Sequence, residues 1–284
     1  MEKGKEMGIR VLSLFDGISC GMVALERAGI DVNEYVAYEI DKYAIKVSET
    51  NYPEIKHMDD VFQGDFTKYK GFDLLIGGSP CTYWSIAKSD GKRETTSSGI
   101  GWELFSQYVR ALKESNCKYF LYENNYSMDD NIKNEITKSL GVEPILINSN
   151  LVSAQNRQRY YWTNIQGANK PKDKGIVLSD ILEDGYGVIV KNQGKFHSSE
   201  VTKAGTILAR DYKGFGNQNM VGKIVNGILQ RLTPLEYERL QTLPDNYTGE
   251  VSNTQRYKAV GNGWTVDVIA HIFKGLKGEF NGNE

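Results

Sequence analysis

Arg10-Val11-Leu12-Ser13-Leu14-Phe15-Asp16-Gly17-Ile18-Ser19-Cys20-Gly21 joins an apolar run to a glycine-containing turn and then to a segment with helical spacing. The run reads as a strand over Arg10 to Phe15, the spacing predicts a helix over Gly21 to Ala28, and Gly29 stands where a helix stops. The same unit recurs down the chain. Further strands are expected at Glu34 to Tyr38, Phe72 to Ile76, Lys118 to Tyr122 and Pro144 to Asn148. Between them, Lys42 to Asn51, Trp102 to Glu114 and Met128 to Ser139 carry helical spacing, with Gly141 as a second stop. Strand and helix in alternation up to about residue 165 predict an α/β chain whose parallel sheet is covered by helices on both faces. In an open sheet of this kind ligands bind outside the carboxyl ends of the strands. Asp16, Glu39, Cys81 and Glu123 all fall at such ends.

The character changes after Gln166. From there to about Leu229 the chain is rich in Gly, Asn and Lys, with short β-like pieces at Val188-Ile189-Val190 and Thr206-Ile207-Leu208. This predicts a small, irregular, β-rich second lobe. Helical patterning resumes at Thr233-Pro234-Leu235-Glu236-Tyr237-Glu238-Arg239-Leu240, where threonine caps and proline fills the first turn, and again from Val266 to Lys274. The expected organisation is a main domain over residues 8–165 plus 245–284, with the lobe and its hinge over 166–244.

Thirty-four Lys and Arg against 36 Asp and Glu give the 284 residues a net charge of −2, so no global basic footprint marks a nucleic-acid binder. Any such contact is local. The basic groups gather at Lys88, Lys92 and Arg93, at Arg157 and Arg159, and at Lys191, Lys195, Lys203, Arg210 and Lys213, each of which also reads as a solvated face. The cysteines Cys20, Cys81 and Cys117 are odd in number and widely spaced, and His57, His197 and His271 are as scattered. That excludes a disulfide framework and predicts no metal site. The charged start and the lack of a long apolar stretch predict neither signal peptide nor membrane span, hence a cytoplasmic location and no membrane partner.

The turn at Phe15 to Gly21 lets backbone approach a ligand, but it is not Gly-x-Gly-x-x-Gly and makes a poor diphosphate cradle. Glu39 can accept both hydroxyls of a ribose, and Asp65 in Gly64-Asp65-Phe66 can read an adenine amino group; Asp16 also reads as a helix cap, and the other two as exposed loop charges. Together they point to a nucleoside-bearing ligand with no demand for phosphate contacts. In Gly78-Ser79-Pro80-Cys81 the proline fixes the backbone so that the thiol is rigidly aimed from a loop. Glu123, in Tyr122-Glu123-Asn124-Asn125, would face it across the top of the sheet. A thiol beside a carboxylate, without histidine, is not a hydrolase pair and suits chemistry on a heterocycle. In Gln155-Asn156-Arg157-Gln158-Arg159 alternate side chains share a face, so two guanidinium groups can hold a phosphate and a carbonyl oxygen, or else mark an exposed edge strand.

In order along the chain, these residues resemble the DNA (cytosine-5)-methyltransferase family. Phe15-Asp16-Gly17-Ile18-Ser19-Cys20-Gly21 is similar to its cofactor turn, Gly78-Ser79-Pro80-Cys81 to its nucleophile loop, Tyr122-Glu123-Asn124 to its catalytic carboxylate motif, and Gln155-x-Arg157-x-Arg159 to its Gln-x-Arg-x-Arg motif. Arg231-Leu232-Thr233-Pro234 with Glu238-Arg239-Leu240-Gln241 resembles the late organising helix, and Ala259-Val260-Gly261-Asn262-Gly263-Trp264 the closing segment that folds back onto the cofactor. The resemblance covers nearly the whole chain except the second lobe. Phe-Asp-Gly-Ile, Trp264 and the compact lobe are closest to de novo-type catalytic domains, with features shared by phage and bacterial orphan enzymes.

The resemblance implies a Rossmann-like S-adenosylmethionine-dependent methyltransferase sheet with a target-recognition lobe, acting on double-stranded DNA with no metal, in the cytoplasm and at the nucleoid of a bacterial host. It implies Cys81, Glu123, Arg157 and Arg159 as catalytic residues. It implies cofactor contacts from Phe15, Asp16, Gly17, Ile18, Ser19, Gly21, Glu39, Ile40, Asp65, Phe66, Pro80, Asn262 and Trp264. A cytosine flipped from the duplex would take the Cys81 thiolate at ring carbon 6 and a methyl group at carbon 5. Thr82 to Gly101 would be a mobile loop over the DNA, and Gly214-Phe215-Gly216-Asn217-Gln218-Asn219 would supply contacts from the lobe. One branch of the family methylates transfer RNA with nearly the same residues, and a non-catalytic nucleic-acid-binding homologue is a further alternative. Two positions depart from the family pattern: Thr82 stands where Gln is usual, and Asn125 where Val is common.

Overall fold

The computed structural model describes residues 8–85, 93–192, 196–215 and 220–277. Its first strand, β1 (Ile9–Leu14), shows why the main sheet is buried on both faces. Ile9 and Val11 enter one hydrophobic cluster, while Leu12 and Leu14 enter another on the opposite side. The helix α1 (Cys20–Ala28) returns along the sheet and ends on Gly29, whose φ of 68° is the left-handed stop. It is followed by β2 (Val32–Tyr38), α2 (Lys42–Asn51) and a short β3 (Lys56–Met58). After β4 (Leu74–Gly77) come α3 (Ile100–Ser115), β5 (Tyr119–Asn125), α4 (Asp130–Leu140), β6 (Ile145–Asn148) and β7 (Gln158–Thr163).

The strand order is β3-β2-β1-β4-β5-β7-β6. The order reverses between β1 and β4, which opens a crevice at their carboxyl ends. The sheet is mixed rather than all parallel, because β7 runs antiparallel to both β5 and β6. It therefore lies inside the sheet, which corrects the edge-strand reading of residues 155–159. Asn125 pairs with Arg159 and Glu123 with Tyr161, so Glu123 and Arg159 are diagonal neighbours on one face. The fifth strand also runs past Tyr122 to Asn125, because Asn124 and Asn125 are buried and hydrogen-bonded rather than turning into solvent.

A second, antiparallel sheet contains β8 (Tyr186–Asn192), β9 (Phe196–Glu200), β10 (Met220–Val225) and β11 (Ile228–Arg231) in the order β11-β10-β8-β9. The β10–β11 turn is Asn226-Gly227, both at positive φ, the two-residue turn that matches strand twist. Thr206-Ile207-Leu208 is not a strand; its backbone is held by side chains of the main domain instead. In α5 (Pro234–Leu240) Thr233 and Glu236 cap each other reciprocally. The fully buried Glu236 also accepts from Lys223 at 2.8 Å, tying the second sheet to α5. Then α6 (Asn253–Asn262), which sequence patterning did not predict, and α7 (Val266–Phe273) close the chain, with α7 packed against α1. Among the described residues no helix is long and apolar enough to cross a membrane.

Candidate active site

A cavity of about 970 Å³ opens at the carboxyl ends of the strands, on the crevice between β1 and β4. Its acidic end is built on a strained turn. Phe15, Gly17 and Ser19 all have φ near +60°, which for the two non-glycine residues costs roughly 1–2 kcal/mol each. Asp16 holds the turn: its carboxylate accepts from Ser13 Oγ and Ser19 Oγ, both at 2.5 Å, and from Tyr35 OH at 2.7 Å. Burial raises the Asp16 pKa despite these donors. Glu39 accepts from the backbone N–H groups of Gly17, Ile40 and Asp41, each at 2.8 Å, so it clasps the turn to the end of β2. Burial raises its pKa as well.

Phe15, Asp16, Gly17, Ile18, Glu39, Ile40, Pro80, Asn262 and Trp264 line the cavity. Ser19 and Gly21 do not. Ser19 is fully buried and supports Asp16, and a side chain on Gly21 would strike Ile76 and the Tyr35 hydroxyl. Asp65 and Phe66 need a larger correction. Asp65 is exposed and caps the following turn through Thr67 N at 3.2 Å, while Phe66 is fully buried in the core. The cavity wall at the end of β3 is Asp59, Asp60 and Val61. Lys56-His57-Met58 has no apolar alternation, so the sequence carries no signal of the strand that positions them.

At the reactive end Pro80 introduces a short 3-10 turn over Cys81–Tyr83, and Cys81 is partly exposed to the cavity. Cys20 and Cys117 are buried, and burial raises their thiols to about 12 and about 11, which leaves them protonated at neutral pH. The loop is held from β5. Asn124 Nδ2 donates to Ser79 O and to Tyr122 OH, both at 3.1 Å, and the Ser79 and Tyr122 hydroxyls meet at 2.7 Å. Asn125 Nδ2 donates to the Cys81 carbonyl at 3.4 Å, so this departure from the family pattern contacts the nucleophile's own backbone. Thr82, the other departure, is exposed on the cavity lining.

Glu123 is 9% exposed, and both its oxygens have donors: Arg159 Nε lies 2.9 Å from Oε1 and Trp264 Nε1 lies 3.0 Å from Oε2. Arg157 differs from Arg159. Its buried guanidinium donates to the carbonyls of Ile207 and Gly263 at 3.1 Å and of Gly261 at 3.4 Å, and burial lowers its pKa to about 10, still charged at neutral pH. Arg157, expected as a catalytic residue, lines the cavity with its guanidinium engaged by these backbone carbonyls. Gln155 Oε1 accepts from Ile207 N at 3.0 Å, so the two side chains grip both backbone groups of Ile207 and aim Leu208, Ala209 and Arg210 at the cavity. Lys88, Lys92, Lys195, residues 86–92 of the expected mobile loop and residues 216–219 lie outside the described residues. Among the described residues no group of three or more His, Cys, Asp or Glu is placed to hold a metal.

A family profile described as C-5 cytosine-specific DNA methylase matches residues 9–186 and 179–278. The orphan methyltransferase M.Rho11sI of Bacillus phage rho11s is 35% identical over 192 residues, covering 62% of this chain and 37% of that protein. The match to orphan methyltransferase M.SPRI of Bacillus phage SPR, 36% identical, covers 43% of its length, so this chain spans less than half of these phage relatives. Type II methyltransferase M.HhaI of Haemophilus parahaemolyticus is 27% identical over 327 residues, covering 98% of both chains. The structure of Entamoeba histolytica methyltransferase EhMeth aligns with a TM-score of 0.75 at 16% identity, over 95% of this chain and 98% of that one. At that identity the likeness is one of fold.

Proposed function

The chain belongs to the C-5 cytosine-specific DNA methylase family, and on that premise we propose that it transfers a methyl group from S-adenosylmethionine to carbon 5 of cytosine in double-stranded DNA. The observation that carries the reading is the grouping of Cys81, Glu123 and Arg159 on one cavity, with the Cys81 loop and Glu123 anchored on the same strand.

The donor set of the cavity fits the cofactor. Asp16, Glu39 and Asp60 give its far end negative charge, which favours a sulfonium cation. Glu39 is a hydroxyl acceptor for a ribose, Ile40 offers a side chain 76% exposed at the rim for an aromatic base, and the space where a Gly17 side chain would project is empty. When bound, S-adenosylmethionine supplies an electrophilic methyl group.

The chain's own residues do the rest. Flipping a cytosine from the stack costs a few kcal/mol, least where pairing is already weak. Cys81 Sγ, as thiolate, forms a bond to ring carbon 6, and electron density moves onto the ring. As the ring gains charge its nitrogen 3 takes a proton shared with Glu123, which also accepts from the exocyclic amine, while Arg159 donates to the ring oxygen, so charge developing in the ring meets partners already in place. Loss of the carbon 5 proton, then of the carbon 6 to sulfur bond, with return of the nitrogen 3 proton to Glu123, restores the ring and the thiolate. Lys258 and Arg210 line the same cavity and supply positive charge toward a nucleic-acid backbone.

Labelled S-adenosylmethionine offered with duplex DNA and with transfer RNA tests the reading. Incorporation at carbon 5 of DNA cytosine is expected, and incorporation into transfer RNA alone overturns the DNA assignment.

A further inference from the structure

Resting on that reading, we propose that Trp264 is the positioning residue of the catalytic carboxylate, acting through its indole N–H rather than only as a cavity wall. The contact joins parts of the chain 141 positions apart: Trp264 Nε1 donates to Glu123 Oε2 at 3.0 Å. Arg159 Nε already holds Oε1 at 2.9 Å. One donor leaves a carboxylate free to rotate, whereas a donor on each oxygen sets its plane and leaves further lone pairs for the base. An indole N–H gives a hydrogen bond, cannot accept one and does not titrate, so it holds Oε2 in place without exchanging a proton with it.

The surroundings are shaped for this contact. A side chain at Gly78, the first residue of the nucleophile loop, would stand 2.9 Å from Glu123 Oε2 and 3.4 Å from Trp264 Nε1. At the far end of the indole, Cζ3 lies 3.7 Å from the place a Gly21 side chain would take. One ring therefore meets the carboxylate strand, the nucleophile loop and the helix that follows the first turn. A hydrogen bond to a charged group, lost where it orients a reacting carboxylate, lowers the rate about 10- to 100-fold.

Trp264→Phe keeps a ring and removes the N–H. Three readouts are needed: single-turnover methyl transfer to duplex DNA, cofactor-free exchange of the cytosine carbon 5 hydrogen with tritiated water, and S-adenosylhomocysteine affinity by calorimetry. Exchange needs only Cys81 addition at carbon 6, solvent protonation at carbon 5, loss of the original hydrogen and release of Cys81, so it reports the carboxylate without the methyl donor. The proposal expects transfer and exchange to fall together, about 10- to 100-fold, with S-adenosylhomocysteine affinity within about twofold. Gly78→Ala, which leaves Trp264 in place and pushes a methyl group against both Glu123 Oε2 and the Glu123 backbone carbonyl, is expected to lower transfer and exchange together as well. Wild-type rates of transfer and exchange in Trp264→Phe overturn the proposal, whatever Gly78→Ala does, and leave the functional reading standing. So does a rate loss matched by an equal loss of S-adenosylhomocysteine affinity. A wild-type protein that neither transfers nor exchanges overturns the functional reading itself.

Discussion

Replacing Asp60 and Asp65 by alanine, one at a time, separates the cavity from the sequence motif. Asp60 lines the cavity and caps the turn over Val61–Gln63 by accepting from Phe62 N at 3.0 Å. Its loss removes a cap worth about 1 kcal/mol to the fold. Under the proposed function it also removes a charged acceptor within reach of the cofactor's base, worth about 1.5–3 kcal/mol, or roughly 10- to 100-fold in affinity. Asp65 is exposed and bonds only to Thr67 N and Thr67 Oγ1, at 3.2 and 2.6 Å. Asp65→Ala is therefore expected to leave affinity within about twofold. Calorimetric titration of each variant with S-adenosylhomocysteine gives the comparison, with thermal melts to show that both fold. If Asp65→Ala weakens binding more than Asp60→Ala, the placement of the ligand at the end of β3 is wrong.

Two further outcomes are expected. The raised pKa values of Asp16 and Glu39 mean that the ligand-free fold holds their protons more tightly than the unfolded chain. That contribution is complete below the ordinary carboxylate range and is lost as pH rises through the raised values. A ribose needs ionised Glu39, so S-adenosylhomocysteine affinity should rise with pH across that window and level off above it; a flat profile from the ordinary carboxylate range up to neutral pH contradicts the role of Glu39. Arg157→Ala removes its hydrogen bonds to the carbonyls of Ile207, Gly261 and Gly263, of which Gly263 O keeps Gln241 Nε2 at 2.9 Å. It should cost about 3 kcal/mol, a fall of roughly 6–12 °C in Tm for a chain of this size, whereas Arg159→Ala should abolish transfer with a smaller change in Tm.

Much of the molecule is legible in the sequence because apolar runs and glycine stops report burial directly. The α2 helix occupies the predicted span, and Thr233 and Pro234 begin α5 as a cap and first turn should. What escaped depends on contacts between distant segments. The direction of β7 cannot be read from Tyr160-Tyr161-Trp162 alone, yet that direction sets Arg159 diagonal to Glu123. The short β3 carries no pattern of its own, so the sequence does not show that Asp60, five residues before Asp65, is the carboxylate on the cavity wall. Thr206-Ile207-Leu208 has strand-like residues but takes its backbone partners from Gln155 and Arg157. For Trp264, the family resemblance pointed to a cofactor wall, while its bond to Glu123 exists only once α6 has folded back over the sheet.

The central claim is that Cys81 bonds covalently to a cytosine ring. A fluorine at carbon 5 cannot leave as a proton, so duplex DNA carrying 5-fluorocytosine at target sites should trap the adduct when S-adenosylmethionine is present. The account predicts a protein–DNA complex that survives denaturation, with the added mass on the peptide bearing Cys81, and no such complex from Cys81→Ala. Methylation of DNA cytosine by Cys81→Ala, or a trapped complex mapped to any other residue, contradicts it.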